Sequence, residues 1–414
     1  MLNKYTFTLL AAGILTSSAV LAKISNDHIV IAPHCLIENL NMANNTIAKE
    51  KQFALLKVNA AGINKLIAAK HQQLYPCGGF MDVTHEYQAN VNAKQFIKSH
   101  TVFTDTESMK QHTEYSIKYE TQVNQLLKQL NPQAMWGNLK TLTEFKDRYA
   151  NSTYGVKAAE WIKSQVETMA KNSGHNDVTV SIVSTGNATS PDYKQPSVVA
   201  KIGTSTKSGV VIGAHMDTLN SSLDDSNDMN LSVKPGADDD GSGSAVVLEI
   251  ARTLLQSGMT FDKPIYLVWY AAEEEGLVGS RYVVADFVKN KTPVTGVMQF
   301  DMTGFAYQNE PTMYVMDGSR DGIDKNLTAF VETLIKTYPK QPVKHSQCGY
   351  ACSDQASWKS KGFASAIAAE AAFENTNPAM HSSQDTMDKL SLSHMTDYAK
   401  LGVAFAVELA DPVA

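Results

Sequence analysis

Hydrophobic positions change rhythm several times along the chain, and each rhythm predicts a different kind of element. Lys4 precedes a short apolar core, Leu9–Leu15, followed by Ser17, Ser18 and Ala19 and closed by Val20-Leu21-Ala22. A positive start, an apolar core too short to span a bilayer and small residues at its end describe a cleavable signal peptide over 1–22. A region from 23 to about 110 follows, with a helical pattern over Ile63–His71 and a turn at Pro76-Cys77-Gly78-Gly79. Tyr115, Tyr119, Val123, Leu126, Leu127 and Leu130 recur at three- and four-residue steps and predict a helix over 111–136; another is expected over Gly155–Ala170.

From there short apolar runs alternate with helical ones. Ser197–Ile202, Gly209–Gly213, Pro264–Tyr270, Val297–Met302, Thr312–Met316 and Ala364–Ala369 read as strands. Gly243–Leu255, Gly322–Tyr338, Gln355–Lys361 and Leu392–Leu409 read as helices. The alternation predicts an α/β fold with a mixed sheet, parallel at its centre, and helices on both faces. Ligand-binding groups then belong at the carboxyl ends of strands. Leu219–Lys234, rich in Asp, Asn and Ser, reads as a surface loop.

Composition narrows the class. The 414 residues are 43% hydrophobic and 19% charged, with a net charge of −6. That describes a folded chain and offers no basic excess for nucleic acid. Beyond the leader no run approaches about 18 apolar residues, so no membrane span is expected. The mature chain is expected in the periplasm or outside the cell. Four cysteines in an exported chain suggest two disulfides, and three connectivities are open. Locality favours Cys35–Cys77 and Cys348–Cys352; a cysteine zinc site would need closer clustering with histidines.

The chemistry-bearing residues stand at strand ends. His215 and Asp217, two apart, share a face of an extended segment, so one could bind a metal while the other orients it. Asp238-Asp239-Asp240 lies before a helix, where three adjacent acids repel unless a cation is near. Glu273-Glu274-Glu275 ends an apolar strand, Asp301 ends another, and His381 sits in Asn377-Pro378-Ala379-Met380-His381. Singly these fit solvated turns and structural histidines. Jointly, a mixed set of histidines and carboxylates suits zinc, and five or more ligands with one shared carboxylate suit a metal pair.

From about residue 140 onward the chain resembles the bacterial dizinc aminopeptidases of the M28 metallopeptidase family, of the exported leucyl aminopeptidase type. The motifs are Gly213–Asp217, Pro235–Gly243, Ala271–Ser280, Phe300–Thr303, Cys348–Asp354 and Asn377–Thr386, in the family's order. The resemblance implies the zinc exopeptidase fold, two Zn2+ ions and peptide substrates with a free N-terminus. It implies that Asp239 bridges both metals, His215 and Asp301 complete one, and Glu274 and His381 the other. Glu273 would be the general base, Asp217 would hold His215, Tyr350 would donate to the substrate carbonyl, and the Asp239–Asp240 peptide would be cis. M20 peptidases share part of this pattern, but they insert a domain where this chain already has strands, a helix and the cysteine loop. A non-catalytic domain on the same fold would have lost ligands that are all present here.

The resemblance also implies a side-chain pocket of Met302, Val315, Cys352, Ala369, Phe373, Thr376 and Met380, roomier than in leucine-preferring relatives because Ala369 and Thr376 replace aromatic residues. Nearby Glu374 could attract a cationic side chain. Large apolar, aromatic or Lys/Arg termini are therefore the expected substrates. Residues 23–110 are expected to be a pro-segment stapled by Cys35–Cys77, or an accessory domain, ahead of a catalytic domain over 111–414. A monomer is expected.

Overall fold

The computed structural model describes residues 27–70, 79–101, 114–187, 190–219 and 233–413. The signal-peptide segment, Cys77 with its turn, and most of the Leu219–Lys234 loop lie outside the described residues. The first unit contains β1 (Asp27–Pro33), α1 (His34–Asn39), β2 (Thr46–Glu50), β3 (Phe53–Asn59), α2 (Ala60–Lys70), β4 (Met81–Asp82) and α3 (Ala93–Thr101). Its strands form one sheet in the order β2-β3-β1-β4, with every pairing antiparallel.

The second unit opens with α4 (Glu120–Leu127), α5 (Pro132–Thr143) and α6 (Thr153–Asn172). It continues through β5 (Val178–Asn187), β6 (Ser190–Ile202), β7 (Gly209–His215), α7 (Gly243–Gln256), β8 (Ile265–Tyr270) and α8 (Val278–Lys289). Then come β9 (Val294–Phe300), β10 (Met313–Met316), α9 (Lys325–Thr337), β11 (Val343–Ser346), α10 (Gln355–Ser360), β12 (Ser365–Ala369) and α11 (Leu392–Ala410). The sheet order is β11-β10-β12-β9-β7-β8-β6-β5, and the run from β12 to β8 is parallel.

Strand alternation explains why both faces are covered. Val210, Ile212 and Ala214 of β7 and Leu267 and Trp269 of β8 point into a core shared with α5, α6, α7, α9 and α11. Their neighbours Val211, Tyr266, Val268 and Tyr270 point into a second core with Val283, Val284, Phe287 and Trp358 of α8 and α10. A parallel strand buried on both sides reads as a continuous apolar run, as these do. The expected architecture is therefore the observed one.

Three expectations change. The single helix over 111–136 is not formed. Residues 114–119 are non-helical because Lys118 N and Tyr119 N donate to the buried Glu408 carboxylate at 2.7 and 3.0 Å, and Tyr115 stacks on Phe330. The rest divides into α4 and α5, because Asn131 caps Ala134 N and Pro132 starts a new helix. Helix α8 was hidden behind the acidic turn: its cap, Leu277, is left-handed with φ 64° and makes no side-chain cap. Strands β5 and β11 lie at the sheet edges, where partial exposure weakens the apolar signal.

Candidate metal centre and substrate cavity

The carboxyl ends of β7, β8 and β9 converge with the loops after them. His215 is the last residue of β7, Glu273–Glu275 follow β8, and Asp301 follows β9. The Asp238–Asp240 segment precedes α7, and its Asp239–Asp240 peptide is cis. Gly236 makes the turn into this segment at φ 49°, where a Cβ would lie 2.4 Å from Thr218 Cγ2 and 2.5 Å from Asp239 O. Four non-glycine residues around the site, Ala272, Leu277, Met302 and His381, also hold left-handed backbone. Such conformations cluster at sites that the surrounding fold over-determines.

Asp239 lies between two histidines. Its Oδ1 is 3.0 Å from His215 Nε2, and its Oδ2 is 2.6 Å from His381 Nε2. Asp301 Oδ1 lies 3.5 Å from the same His215 nitrogen, and Glu274 Oε2 lies 3.5 Å from the same His381 nitrogen. Two ligand-competent triads result, His215–Asp239–Asp301 and Asp239–Glu274–His381, sharing one carboxylate. The donor atoms of each triad lie within 4.8 Å of one another, so the residues fit a pair of cations.

A frame of buried polar groups holds these side chains. Asp217 accepts from Glu273 N at 3.0 Å and Glu274 N at 3.1 Å, and its carboxylate is 3.5 Å from His215 Nδ1. Asp240 accepts from His215 N at 3.1 Å, Gly243 N at 2.9 Å and Met302 N at 3.1 Å, tying three chain segments together. Asp385 receives Asp238 N and Asp239 N, both at 3.0 Å. Asp238 receives Gly304 N at 3.0 Å and Asn377 Nδ2 at 2.9 Å. Behind them Arg148 is fully buried and donates to the carbonyls of Met216, Leu142, Pro235 and Gly236.

This frame is electrostatically overloaded with acid. Burial pushes the carboxyls of Asp240, Asp354, Asp385 and Glu370 well above the usual range, and that of Asp238 up to about 6. Asp239 differs. Burial opposes its charge too, but His381 and His215 outweigh it and hold the carboxyl well below the usual range. Burial works against the charged form of His215, yet Asp301, Asp217 and Asp239 raise its pKa well above that of a free imidazole. Carboxylates concentrated in a dry site call for cations.

Beside the triads is a cavity of about 90 Å³. Glu273 and Tyr350 line it, as do the expected Met302, Cys352, Ala369, Phe373, Thr376 and Met380. Val315 does not. In β10 it faces the helix-covered core, while Met316 faces the cavity, so the wall residue is offset by one position. Glu374 is exposed and lines no part of it; besides Asp239, Glu273 and Asp301, the acid in the wall is Glu370, which accepts from Phe305 N at 2.6 Å. Tyr350 packs edge-on against Phe373 at 6.0 Å between ring centres, in a loop closed by the Cys348–Cys352 disulfide. Cys35 is also disulfide-bonded.

Arg148, Asp240 and Asp385 went unassigned in the sequence. The two aspartates lie inside motifs quoted above, so that signal was present. Arg148 stands alone in Asp147-Arg148-Tyr149, and no local pattern marks it.

The profile of Peptidase family M28 matches residues 197–406. The chain belongs to peptidase family M28. It is a hydrolase of the aminopeptidase kind. Leucine aminopeptidase 1 of Aspergillus clavatus is 35% identical over 349 residues, covering 80% of this chain and 82% of the relative. Among solved structures, the LapA aminopeptidase of Legionella pneumophila superposes with a TM-score of 0.81 at 38% identity, covering 94% of this chain and 99% of that one. LapB from the same organism superposes with a TM-score of 0.81 at 36% identity, covering 93% of this chain and 100% of that one. Among the described residues of this M28 peptidase, no helix is long and apolar enough to cross a membrane.

Proposed function

We propose that this M28 peptidase removes the N-terminal residue of peptides at a two-zinc centre, with Glu273 as general base. The observation that carries this reading is Asp239, which turns one oxygen to each of two histidines, each histidine backed by a further carboxylate. Two zinc ions held there would polarise the scissile carbonyl and lower the pKa of an attacking water. Glu273, in the cavity wall with Asp239, Asp301 and His381, accepts the water proton and returns it to the leaving amine. Tyr350, on the same wall, donates its hydroxyl to the carbonyl oxygen as negative charge builds there. Asp217 keeps the Glu273–Glu274 turn and the His215 ring in place. The acids around the cavity favour a protonated α-amine, which accounts for action at a free N-terminus.

The walls favour an apolar first residue. Met302, Met316, Ile367, Ala369, Phe373 and Met380 offer thioether, aliphatic and aromatic surface that adapts to shape. Beyond the metal-triad acids and Glu273, the only acid in the described lining, Glu370, already accepts from Phe305 N. Leucyl and phenylalanyl anilides are therefore expected to exceed lysyl and arginyl anilides in kcat/KM. Equal or faster cleavage of the basic pair would return the choice to Glu370.

The central test combines metal content, chelation and Glu273→Gln. About two zinc ions per chain, activity lost on chelation, and a metal-loaded variant with kcat reduced roughly 10²–10⁴-fold support the reading. Undiminished turnover by the variant removes Glu273 from the base role. Residues 1–22 are the export signal in this reading, and residues 23–110 stay attached as an accessory unit. The seam supports retention: Ile31, Phe53, Leu55, Met81 and Phe96 pack with Leu277, Ala351 and Ala356 of the catalytic unit. Mass spectrometry of the exported protein decides, since an N-terminus near residue 111 means removal.

A further inference from the structure

A second cavity, of about 650 Å³, lies where the N-terminal unit meets the disulfide loop. Lys51 and Gln52, from the turn between β2 and β3, and Phe53, which opens β3, line it together with Arg320, Gly349 and Tyr350. Tyr350 therefore borders both this cavity and the smaller one beside the metal triads. The two differ in charge. Asp239, Glu273, Asp301 and Glu370 line the small cavity. Among the described residues no carboxylate lines the large one, which carries Lys51, Arg320 and His34 instead.

The two long cations are uncommitted. Lys51 and Arg320 are exposed, and neither forms an ion pair with a described residue. Asp321, next in sequence to Arg320, does not compensate them. It is buried, and its carboxyl accepts from Gly318 N at 2.9 Å and Gly349 N at 2.8 Å, fixing the loop that carries Tyr350. His34 is engaged with Phe53 O at 3.0 Å.

We propose that this cavity receives the part of the peptide beyond the scissile bond, and that Lys51 and Arg320 bind a carboxylate there. The inference rests on the aminopeptidase reading above. A peptide whose α-amine sits among the acids must pass Tyr350 with its carbonyl, and the chain beyond continues toward the basic cavity. The gradient from acidic to basic along that path matches the dipolar form of a short peptide, ammonium first and carboxylate last. Complementarity of this kind sets orientation and selectivity more than raw affinity. It makes the N-terminal unit part of the substrate site, because Lys51 belongs to that unit. The carboxylate has two possible sources, the C-terminus of a di- or tripeptide or an acidic side chain of a longer one.

The experiment compares kcat/KM for Leu-Gly-Gly, its C-terminal amide, Leu-Gly-Glu amide and leucyl anilide on the full metal-loaded chain. The free-acid peptide is expected to exceed the amide by about 3- to 10-fold, with the difference shrinking at high salt. Leu-Gly-Glu amide then tells whether an acidic side chain serves as well as the terminus. In Lys51→Gln/Arg320→Gln the ratio of acid to amide should fall to about one. In Lys51→Glu/Arg320→Glu it should invert, and Leu-Gly-Lys amide should become the better substrate. A wild-type enzyme that does not discriminate, or a fall shared equally by all four substrates in the variants, overturns the proposal. A metal-loaded wild type that cleaves none of them instead overturns the aminopeptidase reading itself.

Discussion

Arg148 shows how much of this site depends on a residue with no chemistry of its own. Its guanidinium reaches four backbone carbonyls, from Leu142, Met216, Pro235 and Gly236, and two of those flank the turn into Asp238–Asp240. The side chain is fully buried, so removing it strips a buried donor from all four carbonyls, of which Gly236 O keeps its bond from Gly241 N. Each carbonyl left unpaired costs about 1–3 kcal/mol. Arg148→Met is therefore expected to destabilise the fold by about 3 kcal/mol or more and to weaken metal retention. Thermal melting with and without chelator checks both, and an unchanged melt would mean the turn holds itself. Asp240 plays a related part through three backbone N–H groups. Arg148 cannot be recognised from sequence, because its partners come from segments far apart in the chain.

At the scale of elements, β10 gives the clearest contrast. Val315 and Met316 are adjacent, but the pleat sends Val315 into the helix-covered core and Met316 to the cavity beside the metal triads. Val315→Ala should cost about 1–3 kcal/mol by leaving a void, with little change in the ratio of leucyl to phenylalanyl cleavage. Met316→Ala should shift that ratio toward the larger side chain at smaller cost in stability. Paired melting curves and anilide kinetics separate the two, and identical selectivity in both variants would remove Met316 from the pocket. The same argument corrects the pocket inferred from resemblance. A strand's register is fixed by its neighbours, here Tyr314 opposite Ala369 and Val315 opposite Ala368, so an error of one residue exchanges faces.

On the scale of the whole molecule, the seam between the units is partly built from histidines. His85 Nε2 meets Asp192 Oδ2 at 2.6 Å, and Tyr282 OH donates to the same carboxylate oxygen. His28 Nδ1 meets Asp82 Oδ2 at 2.7 Å, and Asp82 N donates across the seam to Gly276 O. Hydrogen bonds donated to these acids raise the pKa of both histidines. Their contribution is then complete below the pKa of a free imidazole and is lost as pH rises through the raised folded value. Asp192 has the opposite sign. Burial opposes its charge but His85 outweighs it, so its contribution is present above the free aspartate range and lost only on strong acidification. Glu86, beside Arg281, Lys361 and His100, is likewise held low against its burial and does not titrate on the alkaline side. The seam is expected to loosen as pH climbs above neutrality. Limited proteolysis should release the N-terminal unit faster at about pH 9 than at about pH 6. His85→Gln should flatten that difference, and an unaltered pH profile in the variant would assign the effect elsewhere.

Some of this protein was legible in sequence because the information is local. Continuous apolar runs mark strands buried on both faces, and acids or histidines directly after such runs must lie at one end of the sheet. That placed His215, Glu273–Glu275 and Asp301 at one end of the sheet, while the set His215, Asp239, Glu274, Asp301 and His381 came from the resemblance to M28 peptidases; the structure groups their donor atoms in two triads that share Asp239. The helix over 111–136 failed for the opposite reason: its apolar spacing is real, but Glu408, far along the chain, takes the backbone N–H groups of Lys118 and Tyr119. That Glu370 lines the cavity and Glu374 does not was decided by β12 and the turn after it. The face chosen by Val315, the carbonyls gathered by Arg148, and the placing of Lys51 and Arg320 in one cavity lining were also decided only in three dimensions. Each depends on contacts between distant segments, and no periodicity within one segment can encode which distant group arrives.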